Sequence, residues 1–288
     1  MKKRMLLTGI TGFIGRHLAC RMMEEGWAVA AIVRPSSDLM ALPLALREGV
    51  DFHVYEGGTL TDIVSEAKPK VVCHLASLYL AKHESEDIPA LVASNILFGT
   101  ELLEAMAKNN VRRFVFAGTS WQHYQGARYS PVNLYAAKKE AFVVLLRYYD
   151  ETAGLHAVGL KLFDTYGEGD TRRKILALLQ EAAETGEELA LSPGDQKLDL
   201  VHVDDVADAF RLAAEYLAED REDICGEYAV SAGVALSLKE IAVRLETLLG
   251  KKIPVHWGAR PYRDREVMEP WSTGRLLPGW KRRRREIM

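Results

Sequence analysis

Short apolar runs alternate with longer amphipathic stretches along most of the chain, and the alternation predicts strands and helices in turn. Residues 4–8, 27–33, 70–77, 112–120 and 156–163 read as buried strands, and residues 51–56 as a half-buried one. Between them, residues 16–23, 61–67, 86–108 and 135–150 carry helical spacing. That rhythm implies an α/β fold with a parallel, doubly wound sheet, in which ligands meet the carboxyl ends of the strands. After residue 171 the rhythm loosens. A helix over 172–184 and a short strand near Leu189 come first. The run Val201-His202-Val203-Asp204-Asp205 then passes from strand to helix, with Asp204 or Asp205 as the cap of a helix ending at Ala218. A strand over 227–230 and a helix from its Ser237 cap to Leu249 complete the pattern. The expected organisation is a dinucleotide-binding domain over residues 1–170, completed by about 199–218, with a smaller C-terminal lobe over 171–288.

The first strand runs directly into Thr8-Gly9-Ile10-Thr11-Gly12-Phe13-Ile14-Gly15 and then into a helix. Strand, glycine turn and helix in that order form the phosphate-binding turn of a Rossmann-like domain. Gly9 permits the tight turn, Gly12 lets backbone approach a pyrophosphate, and Gly15 lets helix pack on strand. Thr8, Thr11, Phe13 and Ile14 are the flanking candidates. The diphosphate would rest on the free N–H groups at the helix start. At the end of the second strand a ribose 2′-hydroxyl would call for a carboxylate, and a 2′-phosphate for a cation. The residue there is Arg34, followed by Pro35, Ser36 and Ser37, while Asp38 comes too late. These residues point to NADP(H), with NAD as the alternative. The strand over 70–77 ends in Leu75, Ala76 and Ser77, small enough at its tip for a nicotinamide ribose to lie close.

The stretch Ser130-Pro131-Val132-Asn133-Leu134-Tyr135-Ala136-Ala137-Lys138-Lys139 opens a helix after a loop. Tyr135 and Lys139 are four residues apart and therefore share a helical face. A nearby cation favours the phenolate, and a phenol so tuned can exchange a proton with a carbonyl or hydroxyl oxygen. Ser120 stands at the end of the fifth strand, where such an oxygen would sit.

Net charge is −3, from 37 basic and 40 acidic residues, so no bulk basic field invites nucleic acid. The apolar run after Met1-Lys2-Lys3-Arg4 is too short for a signal peptide, and no apolar stretch is expected to approach the ~20 residues of a membrane span. Cys20, Cys73 and Cys225 are odd in number and far apart. They read as buried thiols of a reducing compartment, with no metal site. A cytoplasmic protein is expected.

With Gly9, Gly12, Gly15, Ser120, Tyr135 and Lys139 in this order, the chain resembles the extended short-chain dehydrogenase/reductase (NAD-dependent epimerase/dehydratase) family. Further matches are His74-Leu75-Ala76, Asn95 with Gly99-Thr100, Phe114-Val115-Phe116, Tyr166-Gly167 and the Val201–Asp205 run. Thr119 to Tyr124, Ser130 to Tyr135 and Leu162 to Gly167 are similar to the bacterial CDP-3,6-dideoxyhexose 4-reductase branch. The resemblance implies an oxidoreductase acting on nucleotide-diphosphate sugars, working as a homodimer through the 86–108 and 135–150 helices. It implies Tyr135 as proton donor, Lys139 on the nicotinamide ribose and lowering the Tyr135 pKa, and Ser120 on the reacting oxygen. Asn95 would support the Lys139 helix and Leu162 would border the cofactor. A 4,6-dehydratase or decarboxylase of this family needs a carboxylate just after the Ser, and here Trp121-Gln122-His123 follows. Trp121 and His123 either line the sugar pocket or pack beneath the strand end. Asp164 stands where the family usually has Asn, a carboxylate that would repel a diphosphate. Arg260 and Arg263 are the candidate compensating cations, and a solvated loop is the other reading of that cluster. The basic run 281–285 reads as a frayed tail. Three functions follow: an NADPH-dependent nucleotide-sugar 4-ketoreductase, a 4-epimerase with retained NAD, or a non-catalytic NADP(H) sensor.

Overall fold

The computed structural model describes residues 3–284. The strand–helix alternation is realised as β1 (Arg4–Thr8), α1 (Phe13–Glu24), β2 (Ala28–Val33), α2 (Leu44–Gly49), β3 (Val50–Val54), α3 (Thr61–Ala67) and β4 (Val71–His74). It continues with α4 (Ile88–Val92), α5 (Phe98–Lys108), β5 (Arg113–Thr119), α6 (Leu134–Ala153) and β6 (His156–Leu162). The less regular part holds β7 (Asp164–Tyr166), α7 (Ile175–Thr185), β8 (Leu189–Ala190), β9 (Lys197–His202), α8 (Val203–Ala218), β10 (Gly226–Val230), β11 (Ala235–Ser237), α9 (Leu238–Leu249) and β12 (Val255–His256).

Seven strands form one parallel sheet in the order β10-β6-β5-β4-β1-β2-β3. Successive β1 side chains point to opposite faces. Met5 and Leu7 join α1 and α8 on one side, and Leu6 joins α3, α5 and α6 on the other. Phe210 of α8 is fully buried in the first layer, and its truncation to Ala would cost roughly 3–5 kcal/mol. On the opposite layer Gly99 lets α5 approach α6, because a Cβ there would stand 2.6 Å from the Phe142 ring. A third, separate core joins α7, α9 and β9 through Leu179, Ile241, Leu245 and Leu200. The sheet's last strand, β10, comes from within the stretch expected to form the lobe, so the chain crosses between the two parts more than once.

Several expectations change. The helix expected over 86–108 is composite: a 3₁₀ turn at Ser85–Asp87, then α4, a π-helical turn at Ala93–Leu97, and α5. By length and composition, Ser85–Lys108 is long and apolar enough to cross a membrane, contrary to the sequence reading. In the fold it instead packs Leu91, Leu102, Leu103 and Met106 into the core. The cap of α8 is neither Asp204 nor Asp205. His202 serves, its Nδ1 accepting from the Asp204 N–H at 3.2 Å. The basic tail is pinned rather than frayed. The Trp280 indole N–H donates to the Asp205 carbonyl, and the Arg283 and Arg284 N–H groups donate to the Asp205 carboxylate. Arg285 lies outside the described residues. Of the three thiols only Cys73 is buried, with Cys20 and Cys225 half-buried.

Candidate functional site

The turn between β1 and α1 is set by steric exclusion. Gly9 adopts φ +82°, and a Cβ on it would meet the Ala76 nitrogen at 2.7 Å; a Cβ on Gly15 would run into the Gly9 carbonyl. Gly12 is different. It is exposed, and it caps α1 with no side chain, so the first-turn N–H groups around Phe13, Ile14 and Gly15 can receive an anion. This cradle fits a dinucleotide pyrophosphate, and Thr11 flanks it. Thr8 contributes no free hydroxyl, because its Oγ1 is fully buried, bonded to His74 Nδ1 at 2.8 Å and accepting from the Ala76 N–H at 3.2 Å. Burial, and then the charge of Lys139, push His74 down to about 3, so the imidazole is a neutral fastener between β1 and the loop of Leu75, Ala76 and Ser77. At the end of β2, Arg34 is exposed. Its N–H donates to Ser37 Oγ at 3.0 Å, and its carbonyl accepts from the Ser37 N–H at 2.9 Å. Ser36 lies exposed within that turn. The Asp38 carboxylate turns away to the Met40 and Ala41 N–H groups.

Asn133 caps α6, its Oδ1 accepting from the Ala136 N–H at 3.0 Å, and so sets where Tyr135 and Lys139 begin to face inward. Lys139 is 4% exposed, with Nζ 5.9 Å from the centre of the Tyr135 ring. The shared face is present, yet the expected lowering of the phenol pKa is not. Burial pushes Tyr135 up to about 12, and the Ser77 hydroxyl bonded to it only partly offsets this. Burial also brings Lys139 down to about 8. Desolvation disfavours the charged form of each group and is the largest cause of both shifts. Near pH 7 the phenol carries its proton and the amine is largely charged.

Asn95 does not reach the Lys139 helix through its hydrogen bonds. From the π-helical turn it accepts from Ser77 Oγ and the Leu78 N–H, and donates to the Leu78 carbonyl, each at 2.9 Å. It therefore fixes the loop after β4, whose Ser77 holds Tyr135.

Beyond the strand ends opens a cleft of about 1280 Å³, lined by Ser120, Trp121, His123, Asp164, Arg260 and Arg263 among others. Three segments far apart in sequence, at residues 120–123, 164 and 260–263, are thus brought to one surface. Leu162, at the end of β6, is half-buried, and neither it nor Tyr135 or Lys139 is on the cleft wall. Tyr79 also lines the cleft, its ring edge-on to Tyr135 at 5.1 Å and tilted to Trp121 at 6.0 Å. Burial pushes its phenol up to about 12, with the Asp164 charge adding to the effect. The cation beside Asp164 is neither Arg260 nor Arg263. Lys174 Nζ stands 3.8 Å from its carboxylate, whereas Arg263 pairs with Glu266 at 3.9 Å. Arg172 is clamped by Asp170, at 2.7 Å from both Nε and Nη2, and lies 4.5 Å over the Phe13 ring. Arg16 and His17 reach the carbonyls of Gly169 and Glu168, so the loop after β7 is tied across to α1.

Tyr79, Arg172 and Lys174 were missed in the sequence. The run Asp170-Thr171-Arg172-Arg173-Lys174 carried a signal, three cations directly after a strand-end loop. Tyr79 carried none.

A profile of the NAD dependent epimerase/dehydratase family matches residues 5–225. The chain belongs to that family. As an epimerase/dehydratase-family enzyme it works with a nicotinamide cofactor. It is 27% identical over 286 residues to a CDP-abequose synthase of Salmonella muenchen, covering 97% of this chain and 93% of the relative. The UDP-glucose 4-epimerase of Thermus thermophilus, in complex with NAD, superposes with a TM-score of 0.75 at 26% identity, covering 93% of this enzyme and 90% of that chain. The UDP-N-acetylglucosamine 4-epimerase of Methanobrevibacter ruminantium shares the fold with a TM-score of 0.81 at 22% identity, covering 93% and 88%.

Proposed function

We propose that this enzyme is an NADPH-dependent nucleotide-sugar 4-ketoreductase in which Tyr135 donates the proton to the C4 oxygen. One observation carries the reading: the Tyr135 phenol, pushed up to about 12 and so carrying its proton, stands edge-on to Tyr79 on the wall of the cleft that Ser120 lines. A reduction needs a loaded proton donor at the carbonyl, and a removal of protons needs the opposite. Ser120 would hydrogen-bond the reacting oxygen. The Lys139 ammonium would hold the cofactor ribose and stabilise the phenolate left after transfer. Bound NADPH would supply the hydride. The similarity to CDP-abequose synthases supports a nucleotide-diphosphate sugar as substrate, and about 1280 Å³ of cleft gives it room.

Arg34 supports NADP(H) over NAD. It is exposed, and among the described residues its guanidinium has no ion pair or hydrogen bond, so it is available for a 2′-phosphate. Trp121 and His123 would border the sugar, and Arg260 and Arg263 would face the diphosphate from the rim. We further infer a cytoplasmic homodimer. Val92 of α4, Val144 and Tyr148 of α6, and Leu97 of the π-helical turn between α4 and α5 expose apolar surface on the helices expected to pair.

A 4-epimerase with retained NAD is the second reading, favoured by the likeness to NAD-bound UDP-glucose 4-epimerase. A panel of 4-keto-sugar nucleotides assayed for NADPH oxidation separates the two. Stoichiometric NADP⁺ release supports the reductase, whereas sugar turnover without net cofactor change supports the epimerase.

A further inference from the structure

A buried charge lies behind the cleft wall, and the chemistry above makes no use of it. Lys161 interrupts the apolar strand β6 and is 3% exposed. Its Nζ stands 2.7 Å from His123 Nε2 and 3.1 Å from the Glu227 carboxylate of β10. Neighbouring glycines make the room. A Cβ on Gly118 would come within 3.2 Å of the Lys161 stem, and one on Gly159 within 3.2 Å of the Glu227 stem.

His123 is fixed on both ring nitrogens. Nδ1 faces the Ala127 carbonyl at 3.1 Å and must donate, so Nε2 accepts from the Lys161 ammonium. The ring is therefore a single neutral tautomer. Burial first and then the Lys161 charge hold its pKa down, opposed by the Ala127 carbonyl, Glu140 of α6 and Glu227 of β10. The main-chain N–H of His123 donates to the Ser120 carbonyl at 3.1 Å, closing the turn that carries Ser120 independently of the ring. The ring itself stacks on Trp271, centre to centre 3.9 Å, and Lys161 also lies 5.5 Å from that indole. Both His123 and Trp271 line the cleft.

Holding a charge out of water inside a sheet is unfavourable, and an apolar side chain would fill this space without that penalty. We propose that Lys161 is a positioning residue for the reaction, fixing through the His123 ring the Trp271 indole on the cleft wall. The inference rests on the ketoreductase reading for its activity arm, but the tautomer of His123 can be measured without it.

The test combines Lys161→Met, His123→Phe and the double variant with ¹⁵N NMR of the histidines. In the native protein His123 should show the Nδ1–H tautomer and titrate below the usual midpoint of 6.5. In Lys161→Met the Nδ1–H should stay on the Ala127 carbonyl while the His123 midpoint rises, because Glu140 and Glu227 remain. The kcat/KM for keto-sugar reduction should fall about tenfold or more, as expected for a displaced wall of the substrate cleft, with cofactor Kd unchanged and a new acid limb in its pH profile. Adding Lys161→Met to His123→Phe should cost nothing further. Multiplying losses in the double variant, or a native His123 that titrates identically with and without Lys161, would overturn the proposal. If no keto sugar is reduced by the native enzyme, the functional reading fails, and the NMR comparison still decides whether Lys161 governs His123.

Discussion

At the glycine turn after β1, atoms are placed by what the side chains lack, whereas across the cleft β7 and the loop after it are placed by opposed charges. The two regions touch, through Arg16 and His17 on one side and Gly169 and Glu168 on the other. In the first, a single added carbon meets backbone that cannot move. In the second, Asp164 with Lys174 and Asp170 with Arg172 sit half-exposed, where loss of one partner leaves water to take its place. The lesson is that the cofactor end should fail abruptly under substitution and the substrate end gradually.

Gly15→Ala should break the first region outright. Its Cβ would be driven into the Gly9 carbonyl, and both a large drop in Tm and loss of NADP(H) binding by calorimetry are expected. Tyr135→Phe, at the junction, should lower kcat by about 10²–10⁴ while cofactor Kd and Tm hold. Lys139→Met should also remove activity, yet stabilise the fold. The Lys139 pKa falls from 10.5 to about 8 on folding, and at about 1.4 kcal/mol per unit the gain at pH 7 is at most about 3 kcal/mol by denaturant titration. The sign follows from linkage. Between about 8 and 10.5 the unfolded chain binds the extra proton, so native stability rises with pH there, and the variant's advantage should vanish above it.

Smaller effects belong to the exposed positions. Arg34→Ser should weaken NADPH binding about tenfold and leave NADH unchanged, a charge-specific loss of about 1.4 kcal/mol. Asp164→Asn should do least. By freeing Lys174 it should tighten binding of a nucleoside diphosphate by no more than about fivefold, the worth of a half-exposed pair. A hundredfold change there would erase the contrast between the regions.

The same contrast explains what could be read in advance. The β1 turn, and α3 at residues 61–67, depend on neighbours in sequence, and their pattern was legible. So was the α9 cap, where Ser237 and Glu240 form a reciprocal box. The Tyr79 ring against Tyr135 and the pinning of Arg283 and Arg284 to Asp205 bring distant segments together, and no local spacing announces them. Asp204 and Asp205 looked like caps because acids suit a helix start, yet His202 is the residue whose backbone is still extended there. Lys161 was a signal left unused, a cation within an apolar strand.

The central claim is that Tyr135 hands a proton to a keto-sugar oxygen as NADPH is consumed. The most direct measurement is single-turnover NADPH oxidation with 4-keto-sugar nucleotides, native chain beside Tyr135→Phe at matched cofactor saturation. The account predicts one NADP⁺ formed per sugar reduced by the native chain and almost none by the variant. Equal rates in the two proteins, or sugar converted with the NADPH untouched, would contradict it.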